Sequence, residues 1–527
     1  MSLPRRQLFL SLLYGCVRIL FSAVWPYILY HFLQKNHNNN AAYITWLSIG
    51  VIGMFTIGGI AAHMQSKVNA SIMQEFSLKL GERIWKKMNS IEWLVFHNKN
   101  RVYFFDMMMI EAWRLRQGMA ALLEMVIVNT VLVLVLALTI LLINVPMFIV
   151  CSAGLLLTAG LHFYSTTRVR PYLKKFHNAW REQHFWVAAT VDQFDLLKMG
   201  RGYQRSAARN NENTQVFLAT NKAMVISQSR WRAINQVCIN LVRVVIFITG
   251  IYWVQVGYIN FTSLLLVLLI VSVIQNNMAN VPAAIVSFME GQEAAKTIAA
   301  FFELPSEDDA AGLPLNDIPK VDTISINNVS FSYGGNAAIN NICVRLEKGK
   351  IYLWHGANGS GKSTTAHILL GLLQPQHGKL CINGKETVWE ELKALRSRFA
   401  FLHQDAPMFT GTIKDNVLFG HPSPAEAWAG LTGNWLSALL PGGPPELRRI
   451  GEKGEGLSGG EARRIALIRE WLRSSDLIIL DEPLNHLDEY AISEIKKEVV
   501  NAKNNAIIII ISHQEGFENI ADEIKWF

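Results

Sequence analysis

Six apolar stretches of membrane-crossing length occupy the first three hundred residues, at about 8–32, 43–62, 120–143, 145–165, 236–255 and 261–282. A hydrocarbon core takes roughly 20 apolar residues per helix, so each stretch predicts a span. Three of the connections are short: QKNHNNNAA, the step around Asn144-Val145-Pro146, and a few residues near Gly257. The other two, 63–119 and 166–235, are long and helical in pattern. In EFSLKLGERIWKKMNSIEWLVF apolar residues recur every three or four positions without proline, which extends the spans as helices below the membrane. Turns that would meet a soluble domain are expected near Asn98–Asp106 and Asp195–Gly202, where Gly200 and Gly202 interrupt the helix. FMEGQEAAKTIAAFFELP continues the sixth span, and acidic, unpatterned SEDDAAGLPLNDIP forms a linker. From Lys320 the period shortens. TISINNVSF, IYLWHG, FAFLHQ, LIILDE and AIIIIIS alternate with amphipathic segments, as in an α/β domain with a largely parallel sheet.

Charge placement orients the spans. Nine Lys or Arg lie between His63 and Gly118 and twelve between Ser165 and Gln236, whereas the three short loops hold only Lys35. Basic residues stay cytoplasmic, so both long connections, both termini and the soluble domain are expected inside a multi-pass cytoplasmic (inner) membrane protein. The net charge of +8 therefore reflects topology, and nucleic acid is not an expected partner. The N-terminal apolar run has no small-residue cleavage site and reads as a retained first span. Five scattered cysteines suggest neither a disulfide framework nor a zinc site. Polar residues within the spans are Arg18, Glu124, Asn129, Asn240, Arg243 and the cluster Gln275-Asn276-Asn277. Interhelical hydrogen bonding or snorkelling accounts for any one of them, and the cluster suggests a polar cavity.

The chemistry lies in the α/β half. GANGSGKST, Gly356 to Thr364, follows the strand IYLWH and opens a helix. In this pattern the amides of Gly356, Asn358, Gly359, Ser360, Gly361 and Thr364 cradle phosphates. Lys362 reaches the β- and γ-phosphates, and the Ser363 hydroxyl takes Mg²⁺. The helix N-terminus adds its dipole. In LIILDEP a buried strand delivers Asp481, to hold Mg²⁺ through water, and Glu482, to polarise the attacking water. In LSGGE, Ser458, Gly459 and Gly460 offer amides and a helix dipole to an anion.

Six spans with long extensions, followed by LSGGE 20 residues before an acidic strand, resemble an ATP-binding cassette (ABC) exporter half-transporter. The resemblance implies an all-α six-helix transmembrane domain (1–304), a linker (305–319) and an α/β P-loop nucleotide-binding domain (320–527). It also assigns further roles. Tyr333 would stack on adenine, Gln404 would sense Mg²⁺, and His513 would contact the γ-phosphate. Asp488 would link two sites, and Glu452 would make an exporter-type contact before the signature. Three features depart from the family pattern. Glu461 stands where glutamine is usual and adds negative charge near a triphosphate. His355 precedes the phosphate loop where an apolar residue is usual. The chain runs only 14 residues past His513, so the family's last helices are expected to be missing or very short.

The resemblance implies ATP and Mg²⁺ as cofactors, and an ATPase coupled to export by alternating access. One phosphate loop and one signature per chain imply a second copy, or a related half-transporter, as partner, in a lipid bilayer. For the exported substrate, family base rates favour a peptide or peptide antibiotic over a lipid or an amphipathic small molecule. An ATP-gated channel, or a sensor for a membrane partner, is the rival reading.

Overall fold

The computed structural model describes residues 4–35, 41–123, 128–192, 198, 202–278, 281–307, 319–421, 423–431, 447–451, 454–485, 487–513 and 516–527. The chain forms two compact units, Met1–Asn89 with Lys99–Leu304, and Ser90–Asn98 with Pro305–Phe527.

The first unit is helical. Its longest elements are α1 (Arg5–Lys35), α2 (Ala41–Ser90), α6 (Val128–Ile143), α7 (Val145–Asp192), α8 (Gly202–Gln255), α9 (Phe261–Met278) and α10 (Val281–Phe302). The described residues of each of the six apolar stretches are helical. Among the described residues, Ser48–Ser90, Val145–Val191 and Tyr203–Gln255 are long and apolar enough to cross a membrane. Val133–Leu142 and Phe261–Gln275 are shorter apolar helices. Large apolar side chains face outward: Trp46 is 73% exposed, Leu142 79% and Leu156 73%. Lipid rather than water is the solvent that suits such a surface, and helices suit it because they satisfy their own backbone polar groups.

The small interior of this unit gathers Ile140, Met147, Ile246, Leu264, Ile270 and Ile274. Polar residues inside it find partners across helices. Ser11 Oγ donates to Asn69 Oδ1 at 2.6 Å, Asn235 Nδ2 donates to Ser165 Oγ at 3.3 Å, and Arg243 Nε donates to Gln275 Oε1. Gln275, 2% exposed, is thus tied to Arg243 as an interhelical bond. Glu124 and the side chains of Asn129, Asn276 and Asn277 lie outside the described residues.

The second unit holds two sheets. One is antiparallel, ordered β2 (Asn336–Glu347), β1 (Thr323–Tyr333), β4 (His377–Ile382), β5 (Lys385–Glu386). The other is parallel, ordered β11 (Glu523–Trp526), β3 (Ile351–His355), β10 (Ile507–Ile511), β9 (Leu477–Asp481), β6 (Phe399–Leu402). The isoleucine run of β10 is buried at every position because its two faces feed two cores. Ile507, Ile509 and Ile511 join the antiparallel sheet's core with Trp354, while Ile508 and Ile510 join Ile465, Leu467 and Leu480. A parallel strand covered on both faces reads as a continuous apolar run rather than an alternating one.

Residues Ser90–Asn98 were expected within the first domain, yet they belong to this second unit. Glu307 N donates to Ser90 O at 2.6 Å, Glu92 N donates to Pro305 O at 3.2 Å, and Ile91 bridges Ser306. The short helix α3 (Trp93–Asn98) presents Trp93, which stacks on His97 at 3.8 Å and leans on His367 at 4.6 Å. Of the two turns expected to meet the soluble domain, Asn98 closes this helix, and most of Asp195–Gly202 lies outside the described residues.

Candidate nucleotide site

The phosphate loop turns from β3 into the helix Lys362–Leu369. Gly361 has φ +98°, and a Cβ there would lie 2.3 Å from Ile339 Cγ2 and 2.9 Å from Ala338 O. Only glycine allows both the turn and this close approach to β2. Thr365 Oγ1 donates to Gly361 O at 2.9 Å and holds the first helical turn. Lys362 is 5% exposed and folds along its own loop, its Nζ donating to Gly356 O at 2.8 Å and Ala357 O at 2.9 Å. Burial lowers its pKa, and the nearby Asp481 and Glu482 oppose that shift.

Asp481 and Glu482 close β9, both about nine-tenths buried (8% exposed). Burial pushes the Asp481 carboxyl up, and Glu482 beside it adds to the shift, while His403, Arg463 and Lys362 oppose it. Glu482 sits in the left-handed region at φ +50°, uncommon outside glycine. Two bonds hold it to the neighbouring strand. Its N donates to Ile511 O at 2.8 Å, and its Oε1 accepts from His513 N at 2.9 Å. The carboxylate is thereby aimed by the loop that carries His513.

One cavity of about 560 Å³ is lined by Tyr333, Asn358, Gly359, Ser360, Gly361, Lys362, Ser363, Thr364, Gln404, Asp481, Glu482 and His513. It gathers the expected adenine, phosphate, metal and water residues from five separate stretches of chain. Tyr333, 37% exposed, stands at its rim. Ser363, Gln404 and Asp481 offer hydroxyl, amide and carboxylate oxygens to one space, the hard-donor chemistry that suits Mg²⁺. Among the described residues, Ser458, Gly459 and Gly460 are not part of its wall. Asp488 caps its own helix, accepting from Ala491 N at 2.8 Å, and Arg464 lies 3.5 Å from its carboxylate. Glu452 lies outside the described residues.

Arg463 was not anticipated. It is 3% exposed, and its guanidinium donates to His403 O at 2.6 Å and Gln404 O at 3.1 Å, and also to the carbonyls of Asp481 and Glu482. One planar fork thus ties the Gln404 loop to the end of β9. Burial pulls its pKa down to about 10, against the pull of Asp481, Glu482 and Asp405. Its sequence signal was thin, because it stands next to Arg464 in an amphipathic helix where arginine usually faces water. His355, the other oddity, stacks on Trp526 at 5.1 Å and lies 3.3 Å from Glu518.

A buried lysine in a glycine-turned loop, with two carboxylates at the end of a parallel strand one place beyond β10 in the same sheet, is the arrangement of a phosphate-loop nucleotide-binding domain. Residues 339–485 match the family described as ABC transporter. The whole fold superposes on a bacterial Atm1-family ABC exporter solved with ATP bound, at TM-score 0.87 and 16% identity. That match covers 99% of this chain and 93% of the other, and shows the fold. A probable ABC transporter ATP-binding/permease protein of Haemophilus influenzae is 27% identical over 309 residues, 56% of this chain and 54% of that one. An ATP-dependent lipid A-core flippase of Neisseria gonorrhoeae is 25% identical over 346 residues, 64% of this chain and 55% of that one. The chain spans about half the length of these curated relatives. A lipid A-core flippase of Cupriavidus metallidurans aligns over 95% of this chain and 85% of its own length at 23% identity. Residues 339–485 thus carry the ABC transporter match, and the chain as a whole shares the fold of an ABC exporter, a helical domain followed by an α/β nucleotide-binding domain.

Proposed function

We propose that the protein hydrolyses ATP to export an amphiphilic substrate across the cytoplasmic membrane, working as a pair of identical chains. One observation carries the reading. Lys362, Ser363, Gln404, Asp481, Glu482 and His513 converge on one cavity, while the Ser458 turn of the same chain stands outside it. A site with every catalytic group and no signature is complete only when another chain supplies Ser458-Gly459-Gly460. Two-fold pairing then makes two equivalent sites.

In that site the loop amides and Lys362 bind the triphosphate, and Tyr333 stacks on the base. Ser363, Asp481 and Gln404 would hold Mg²⁺, which neutralises phosphate charge when bound. Glu482, aimed by the His513 amide, takes a proton from the attacking water. The His513 side chain meets the γ-phosphate. Closing the cassettes on ATP turns the membrane cavity outward, and hydrolysis releases it. Both termini and the cassette stay on the cytoplasmic side. The relatives named as lipid A-core flippases move the favoured substrate from peptide to amphiphilic lipid.

The test is reconstitution in vesicles with cassettes outward. Wild type should move a labelled lipid amphiphile against its gradient only with ATP. Glu482→Gln should bind ATP with unchanged Kd, lose hydrolysis by about a hundredfold or more, and move nothing. Uphill movement of a peptide alone would replace the lipid, and downhill flow that needs ATP but not Glu482 would replace the pump with a gated channel.

A further inference from the structure

Glu461 places a carboxylate in the signature turn, where an ATP phosphate of a second chain is proposed to sit. The structure shows what becomes of that charge. Ser458 and Glu461 form a reciprocal cap at the start of the helix Gly459–Trp471: Glu461 N donates to Ser458 Oγ at 3.2 Å, and Ser458 N donates to Glu461 Oε2 at 2.8 Å. Glu461 is therefore fixed against the backbone of the phosphate-facing turn. Arg448 then approaches from the segment before the signature. Its Nη1 donates to Glu461 Oε1 at 2.7 Å and its Nη2 to Glu461 Oε2 at 3.0 Å, a two-pronged match of guanidinium to carboxylate. Nη2 also donates to Gly456 O at 2.9 Å, which anchors the guanidinium to the chain just ahead of Leu457. The side chains are 30% and 19% exposed, so water screens the pair only in part.

We infer that Arg448 is a positioning residue for ATP turnover, cancelling the Glu461 charge so that the signature turn can close on a triphosphate. The inference rests on the reading of Ser458–Gly460 as the second half of a shared ATP site. A glutamine at 461 would cap the helix equally well and need no such partner. The two positions therefore act as one unit, and a carboxylate at 461 is tolerable only with the guanidinium at 448. Arg449, the neighbouring basic residue, lies in β8 (Arg449–Ile450), with no ion pair to Glu461.

The experiment is a double-mutant cycle on the full-length protein in vesicles: wild type, Arg448→Gln, Glu461→Gln and the double variant, with ATPase rates at low and high KCl. Arg448→Gln should lower kcat/KM for ATP by about tenfold at low salt, because an uncovered carboxylate repels the phosphates. The deficit should shrink severalfold at high salt, as charge repulsion is screened and a misfolded turn is not. Adding Glu461→Gln should return activity to within about threefold of wild type, since the cap is kept and the charge is gone. Binding of a fluorescent ATP analogue to the phosphate loop should be equal in all four. Arg448→Lys, which keeps the charge and loses the fork, serves if Arg448→Gln does not fold; its deficit should be smaller and should vanish with Glu461→Gln. A double variant as slow as Arg448→Gln, or a deficit unchanged by salt, overturns the pairing. Ser458→Arg acts as the control on the parent reading: full activity there removes the shared site itself, whatever the cycle shows.

Discussion

Burial pulls the His367 imidazole down to about 4, and the nearby rings of His403 and His97 add to the effect. It lies against Trp93 at 4.6 Å and Phe401 at 5.8 Å, on the helix that begins with Lys362. The unfolded chain takes up this proton near pH 6.5, and the folded chain only near 4. Between those values the unfolded state binds more protons, so stability is fully present above 6.5 and falls as pH drops toward 4. The loss from this group is about 2 kcal/mol by pH 5. His367→Leu should remove that part of the slope, so its Tm should fall less than wild type's between pH 7.5 and 5.0; equal slopes would refute it. Nothing in the sequence marked His367, because a histidine inside an apolar helix has no motif. The same is true of Arg463, which is held by carbonyls of segments up to 60 residues away, and of Arg448, whose carboxylate partner lies on the following helix. Lys362, Asp481, Glu482 and His513, which line one cavity, could be singled out because the phosphate-loop pattern restricts both the residue type and the strand or loop that presents it.

Elements were legible wherever one solvent acted on a whole segment. Lipid-facing helices and the twice-covered strand β10 both appear as uninterrupted apolar runs, told apart by length alone. The segment Ser90–Asn98 was misplaced because its register against Pro305, Ser306 and Glu307 is set by residues two hundred positions away. Helix crossings were also invisible. In the first unit α5 (Ala112–Ala121) meets α10 where a Cβ on Gly118 would lie 2.7 Å from Gly291 Cα, and one on Gly291 would lie 2.8 Å from Gly118 Cα. Backbones this close leave no room for a side chain on either helix. Gly118→Leu should force the pair apart and destabilise the membrane unit by about 2 kcal/mol or more. ATP binding to the cassette should stay intact. Detergent-solubilised protein that melts normally after this substitution would show that the two helices part without cost.

At the scale of the whole molecule, the proposed reading turns on the cavity around Lys362 and the Ser458 turn, which is not part of that cavity's wall among the described residues. If each ATP lies between Lys362 of one chain and Ser458 of another, a damaged signature harms its partner's hydrolysis rather than its own. Closure by rigid-body motion also needs both interfaces, because the two cassettes cannot meet at one end only. A bulky cation at Ser458 would intrude where the γ-phosphate belongs and keep the pair open. Wild type and Ser458→Arg chains, tagged differently and co-expressed in equal amounts, should therefore form mixed pairs that do not turn over. With only pairs of two wild-type chains active, ATPase activity should fall to about a quarter of the all-wild-type rate at equal total protein. Independent chains would give one half. Isolating the mixed pairs by their two tags separates the cases directly: they should bind ATP at the phosphate loops and hydrolyse it at background rate. Mixed pairs that turn over at half the wild-type rate would mean that one site can fire without the other, and the need for joint closure would be withdrawn.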